Sequence, residues 1–247
     1  MFVGVRGKGK SMEQLTDTGC ITILTEEKRS REEANGIKTG RAWLEIKLDH
    51  LIHNAEALKA LMPEKCALMA VVKANAYGHG ACRVAECLNG IGVEAFAVAT
   101  IDEGIALRKQ GIHGEILILG YTDIARIHQL VHYDLMQTVV DYDYAEKLSG
   151  CKCRVSVHIK VDTGMHRLGL TAEEPDKIAK VFRLPYLRIC GIFTHLCISD
   201  SLDPKAVTYT KGQINKFYAV LKNITDRGLT LPKLHIQSSY GLLNYPE

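Results

Sequence analysis

An α/β fold of successive parallel βα units is predicted for this chain, and three observations predict it. Short apolar runs rich in β-branched residues recur along the sequence, each bounded by turn residues. Amphipathic stretches of helical period stand between them, so strand and helix alternate with a repeat of about 20 to 40 residues. Single polar residues come directly after several of the runs, at the strand ends where parallel βα folds gather functional side chains.

The 247 residues leave room for one large α/β barrel domain or two small domains. Hydrophobic content of 47% and charged content of 24% are those of an ordinary soluble globular protein. The formal charge of +3 is too small to argue for nucleic acid, yet would not repel an anionic cofactor or substrate. Eight cysteines are scattered without a C-x-x-C pair; Cys151 and Cys153, the tightest, lack the partner ligands of a zinc site. No metal is expected, and a reducing, cytoplasmic compartment fits. No stretch has the apolar length of a membrane span or the core of a signal peptide.

Residues 1–40 mix Gly, Thr, Lys, Glu and Arg, with a dense charge run over residues 26–33, and read as a mobile leader or linker. A short strand or helix docked on the rest of the chain is the alternative. From Ala42, Trp43, Glu45 and Lys47 alternate with Leu44, Ile46 and Leu48, which predicts a half-buried strand. Asp49 then caps a helix carrying Leu51, Ile52, Ala55, Leu58 and Leu61. Further strands are predicted near residues 68–72, 95–98, 116–119, 135–139, 155–161, 189–193 and 234–236. Among the helices, residues 102–110 are expected to bury Ile105, Ala106 and Leu107, and residues 206–227 to bury Ile214, Phe217, Leu221 and Ile224. These are seven strands, and a closed barrel of this class needs eight.

The stretch from Val71 to Gly80, VVKANAYGHG, concentrates the chemistry. Its apolar run ends in Lys73, where an adjoining apolar wall would desolvate the ammonium, lower its pKa and make it a usable amine nucleophile. Gly78 and Gly80 allow backbone to approach a ligand closely, and Tyr77 places a hydroxyl four residues beyond the amine. From spacing alone, a lysine snorkelling out beside an ordinary turn explains the pattern equally. Arg167, His195 and Ser239 likewise come after predicted strands, so the four side chains are expected at one mouth.

VVKANAYGHG resembles the signature of the pyridoxal-phosphate (PLP)-dependent alanine racemase family, and KVDTGMHRLG over residues 160–169 resembles that family's second strong block. The likeness runs from residue 41 to residue 247. It implies a TIM-type (β/α)8 barrel domain that stops before its eighth strand and lacks the family's C-terminal β domain. It further implies PLP on Lys73, the family's Schiff-base lysine and acid-base group. Tyr77 and Ser239 are implied as phosphate contacts. Arg167 is placed near the cofactor's phenolic oxygen and the substrate carboxylate, and His195 beside the pyridine ring. Lys160 matches a lysine often carbamylated in the family, a change that would turn a cation repelling Arg167 into an anion able to hold it. The tyrosine that the family supplies from the partner subunit's second domain has no counterpart here.

Two positions depart from the family's usual pattern. Ser238 stands where asparagine is common, and His166 where glycine or asparagine is frequent. The segment HIQSSYG over residues 235–241 is more similar to the serine/alanine racemase branch associated with vancomycin resistance. The implied function is interconversion of L- and D-alanine, or of L- and D-serine, for cell-wall precursors, with a homodimer expected for full-length members. A membrane domain upstream in a full-length protein stays open. A non-catalytic single-domain PLP-binding protein is the alternative reading, and a Schiff-base lyase or decarboxylase on the same barrel is a third.

Overall fold

The computed structural model describes residues 13–15, 21–23 and 45–246. The chain divides into two compact units, Met1–Val98 with Ile105–Gly114, and Ala99–Gly104 with Glu115–Glu247.

In the first unit, β1 (Glu13–Leu15) and β2 (Ile21–Ile23) pair antiparallel. The rest of the expected leader over residues 1–40 lies outside the described residues. The strand expected from Ala42 is not found where the backbone is described: residues 45–47 are irregular, and Leu48 already opens α1 (Leu48–Leu61). Asp49 is not the cap. It sits in the first turn, where a carboxylate still favours the positive end of the helix dipole. α1 buries Leu51, Ala55 and Leu58 at helical spacing, and leaves the expected core residue Leu61 exposed. β3 (Met69–Val71) and β4 (Ala95–Val98) run parallel, Met69 opposite Ala95. Between them come α2 (Lys73–Tyr77) and α3 (Ala81–Gly90), the latter buried through Ala81, Val84, Ala85 and Leu88.

α4 (Ile101–Lys109) begins in the second unit and ends in the first. Ile101 and Leu107 are buried on it, Ile105 is only half-buried and Ala106 is exposed. The expectation that residues 105–107 are all buried fails because consecutive helical residues point about 100° apart.

The second unit holds β5 (Glu115–Ile118), α5 (Ile127–His132), β6 (Met136–Val139), α6 (Tyr142–Gly150) and β7 (Val155–Asp162). Next come β8 (Leu170–Thr171), α7 (Pro175–Val181), β9 (Leu187–Phe193), α8 (Pro204–Asp226), β10 (Lys233–His235) and α9 (Ser239–Asn244). Its strands lie side by side in the order β5-β6-β7-β9-β10, and the pairings of β5 with β6, β6 with β7, β7 with β9 and β9 with β10 are all parallel. β6 is buried at every residue and β7 at all but two, the pattern of strands covered on both faces. β8 extends the C-terminal end of β7, with Val161 opposite Leu170; two residues are too few to leave a periodic signal in sequence.

This sheet curls. Lys233 on β10 forms an ion pair with Glu115 on β5, four strand spacings away in the order. At about 4.8 Å per spacing a flat sheet would hold the two backbones roughly 19 Å apart, farther than the two side chains reach together. The strands therefore bend around an interior that β7 and β10 line.

Asp203 accepts a hydrogen bond from the Lys205 N–H, and Pro204 occupies the first turn, which together start α8. The helix then buries Ala206, Thr210, Gln213, Phe217, Val220, Leu221 and Ile224 along one stripe. Ile214, expected in that stripe, is only half-buried. Among the described residues no helix is long and apolar enough to cross a membrane. Phe217 is 2% exposed, and Phe217→Ala is expected to lower unfolding free energy by about 3–5 kcal/mol, read as a lower urea midpoint with an unchanged slope.

Candidate active site

Lys73 lies two residues past the end of β3, and its side chain is half-buried. The backbone beyond it is unusual. Ala74, Asn75, Ala76 and Tyr77 all have φ between 51° and 56°, one turn of left-handed helix made without glycine. Each L-residue in that conformation costs roughly 1–2 kcal/mol, so the turn stores roughly 4–8 kcal/mol of local strain against the folded state.

Hydrogen bonds hold the turn. The Ala76 N–H donates to Val72 O at 2.8 Å, and Gly78 N–H to Ala74 O at 3.2 Å. Gly80 N–H reaches Asn75 O at 3.0 Å, while Asn75 Oδ1 accepts from Ala81 N–H at 2.8 Å and so secures the start of α3. Gly78 and Gly80 continue at φ 91° and 84°, where a side chain would add further strain. The outcome is local and specific. Lys73 Nζ stands 5.9 Å from the centre of the Tyr77 ring, and Tyr77 is half exposed at 50%.

In the second unit the ends of β7, β9 and β10 lie at one edge of the parallel sheet. Asp162 closes β7, and its Oδ1 accepts the N–H groups of Gly164, Met165 and His166 at 2.9, 2.9 and 3.1 Å. Burial alone would raise the Asp162 pKa, but these donors outweigh it and the carboxyl is held below its ordinary range. His166 adopts φ 55°, a left-handed conformation that glycine or asparagine takes with less strain. Arg167 comes next on this turn. It is exposed, and its guanidinium makes no hydrogen bond among the described residues.

Lys160, two residues before Asp162, is 7% exposed. Its Nζ donates to Val161 O at 3.1 Å and lies 5.3 Å from the Phe193 ring. Burial pushes its pKa down to about 8; Asp162 and Cys197 act the other way, and Arg167 lowers it further.

One layer deeper, His158 Nδ1 lies 2.9 Å from His235 Nε2, and His235 stacks on Phe193 with ring centres 4.5 Å apart. Gly191, opposite His158 in the register, makes this possible: a Cβ there would run into His158 Nδ1. Burial above all pushes both imidazoles well below their ordinary value; at His158 Glu115 opposes this and Lys233 adds to it, and at His235 Lys160 adds to it. His235 also feels His158 directly.

His195 lies just past β9 and is exposed. Its carbonyl accepts from Gln213 Nε2 at 3.1 Å. Ser239 opens α9, capped by Ser238, whose Oγ accepts from Gly241 N–H at 3.1 Å and lies 3.1 Å from Ser199 Oγ. The second unit thus gathers Lys160, Arg167, His195 and Ser239 at the strand-end edge of its sheet, and the first places Lys73 and Tyr77 on one turn. Sequence reasoning missed His158, Gln213 and Tyr209. The period-2 step from Lys160 to His158 and a polar residue inside an apolar helical stripe were the available signals.

The profile of the family described as alanine racemase, N-terminal domain, matches residues 46–247. The chain belongs to this family. An amino-acid racemase of Enterococcus faecalis is 49% identical over 91% of the chain, and a serine/alanine racemase of Enterococcus gallinarum is 41% identical over 93%. The alanine racemase of Clostridium difficile 630, solved in complex with cycloserine, superposes with a TM-score of 0.76 at 32% identity over 81% of the chain. The chain spans about half the length of that racemase structure, at 56%, and about a third of the two Enterococcus racemases, at 32% and 33%. The fold is therefore the parallel α/β barrel type of the alanine racemases.

Two outcomes are expected for the racemase-family site. Ala74 is exposed, so Ala74→Gly forfeits no packing and relieves left-handed strain; after the extra unfolded-state entropy, a gain of about 0.5–1 kcal/mol is expected by chemical denaturation. His158 and His235 have folded pKa values below their unfolded ones, so the folded state binds fewer protons in acid. Their contribution is complete above about pH 6.5 and is lost as the pH falls from there. The urea midpoint should accordingly drop below pH 6.5, and drop less steeply in His235→Gln.

Proposed function

We propose that the chain is the PLP-binding portion of an amino-acid racemase that interconverts L- and D-alanine, and L- and D-serine, supplying D-amino acid for cell-wall precursors. Residues 41–247 are its cofactor-binding domain, and residues 1–40 a leader or linker. The observation that carries this reading is Lys73, a primary amine held at a strand end by a strained turn beside an exposed tyrosine hydroxyl.

The donor chemistry suits PLP. An amine condenses with an aldehyde, Tyr77 and Ser239 are neutral donors for a phosphate, and the exposed guanidinium of Arg167 offers a planar fork to a phenolate or carboxylate. Lys73 would hold the cofactor, with Tyr77 and Ser239 on the phosphate and His195 beside the ring. When bound, PLP withdraws electrons from the substrate Cα and makes its proton removable. Lys73 Nζ then takes that proton from one face or returns it there, acting as base in one direction and acid in the other. Arg167 orients the substrate carboxylate. The opposite face requires a second acid-base group, contributed by the partner subunit of a homodimer. The names of both Enterococcus relatives support a racemase over the non-catalytic alternative, and that of the Enterococcus gallinarum protein supports alanine and serine as substrates.

Lys160 fits carbamylation. With its pKa near 8, a share of the amine is neutral at physiological pH and adds to carbon dioxide, forming an N–C bond and releasing a proton. The product is an anion facing Arg167.

Borohydride reduction of the chain incubated with PLP is expected to fix the cofactor on the peptide containing Lys73, and Lys73→Ala to abolish the labelling. Native mass spectrometry is expected to show an added carbon dioxide that acid removes and that Lys160→Ala lacks. Labelling spread over surface lysines would sink the cofactor assignment.

A further inference from the structure

Gln213 is 2% exposed on the buried stripe of α8, a position that an apolar side chain would fill as Phe217 and Val220 do. Its amide is engaged at both ends. Nε2 donates to His195 O at 3.1 Å and to Thr163 Oγ1 at 3.3 Å, while Oε1 accepts from Cys197 N–H at 3.2 Å. This orientation is fixed by chemistry, because a backbone carbonyl only accepts and a backbone N–H only donates.

Thr163 Oγ1 in turn lies 2.8 Å from Thr194 Oγ1, so the loops after β7 and β9 are joined beneath the helix. Tyr209 stands four residues before Gln213, on the same face of α8. Its hydroxyl donates to Gly164 O at 2.7 Å. One rigid helix therefore grips the loop that carries Arg167 and the loop that carries His195. A packing role alone would not need the amide, and without it His195 O and Cys197 N–H would lose their partner beneath the helix.

We infer that Gln213, with Tyr209, is a positioning residue that sets the Arg167 and His195 loops relative to each other; its functional consequence rests on the PLP-binding role proposed for this chain. The clamp acts through those loops. Position errors at such a site weaken function strongly, and about tenfold per lost anchor is the scale expected.

Hydrogen–deuterium exchange on the cofactor-free chain tests the clamp by itself. Gln213→Leu is expected to raise exchange about tenfold in residues 163–167 and 194–199 together, sparing β7 and β9, and Tyr209→Phe to raise it in residues 163–167 only. Val220→Ala, which loosens the same helix away from both loops, should raise exchange in the helix alone. Should Gln213→Leu not fold, Tyr209→Phe, which removes one hydroxyl from a part-exposed ring, keeps the test decisive. A Gln213→Leu pattern identical to that of Val220→Ala, or confined to one loop, overturns the clamp. With PLP added, Gln213→Leu is expected to weaken cofactor affinity about tenfold and shift the visible band while borohydride still labels Lys73. Unchanged affinity and spectrum would overturn the positioning role. If the wild-type chain is not labelled at Lys73, the cofactor reading fails, and the exchange data alone decide the clamp.

Discussion

Four left-handed residues in a row are a cost that no isolated peptide would accept, so the turn after Lys73 persists only because folded structure on both sides enforces it. On one side Val72, 2% exposed, accepts the Ala76 N–H and donates its own N–H to Ala97 O, extending the β3–β4 pairing by a residue. On the other, Asn75 anchors the first residue of α3, whose apolar stripe is buried. Ala76 at 0% exposure shows why a small side chain is required in the middle. The strain has a positional result: the backbone reverses within four residues, and Tyr77 is returned to the neighbourhood of the Lys73 amine.

The second unit solves a different problem by packing in place of strain. A parallel sheet that bends around its own interior brings polar side chains of successive strands together. Gly191 is what admits the widest of these contacts, since β9 must yield its side-chain volume for His158 to cross to His235. Above that layer, the N–H groups after β7 converge on one carboxylate, and α8 holds the loops after β7 and β9 by two side chains. Rigid elements thus define where Arg167 and His195 leave the sheet.

Much of this was legible in the sequence, for identifiable reasons. The strands near residues 95–98, 155–161 and 189–193 announce themselves as short, largely apolar runs, and their structural counterparts differ by at most two residues at either end. Lys73, Arg167, His195 and Ser239 stand where strand ends were read. The strand expected from Ala42 is absent over residues 45–48, its earlier part lying outside the described residues, because alternation over a few residues cannot be told from a helix entry, and Leu48 belongs to the helix. The left-handed turn was invisible, since Ala-Asn-Ala-Tyr has ordinary helical propensity and only context forces the opposite hand. Gln213 was hidden because a glutamine in a helix is ordinarily surface, and its burial is a property of two loops more than ten residues away.

Lys160 concentrates the electrostatic tension that remains. Its ammonium is buried, donates to one backbone carbonyl and is disfavoured by the nearby charge of Arg167, while its own charge disfavours protonation of His235. The His158 and His235 imidazoles are kept neutral chiefly by burial, and Lys160 adds to this at His235, so the interior already minimises positive charge. Asp162 gives limited relief because three backbone N–H groups compete for its carboxylate. Burial lowers the cost of losing the proton, and the neutral share of the amine is the form that could become the proposed carbamate. The burial that makes Lys160 a poor cation would penalise a buried anion as well, so the carbamate proposed for Lys160 depends on the neighbouring positive charge of Arg167.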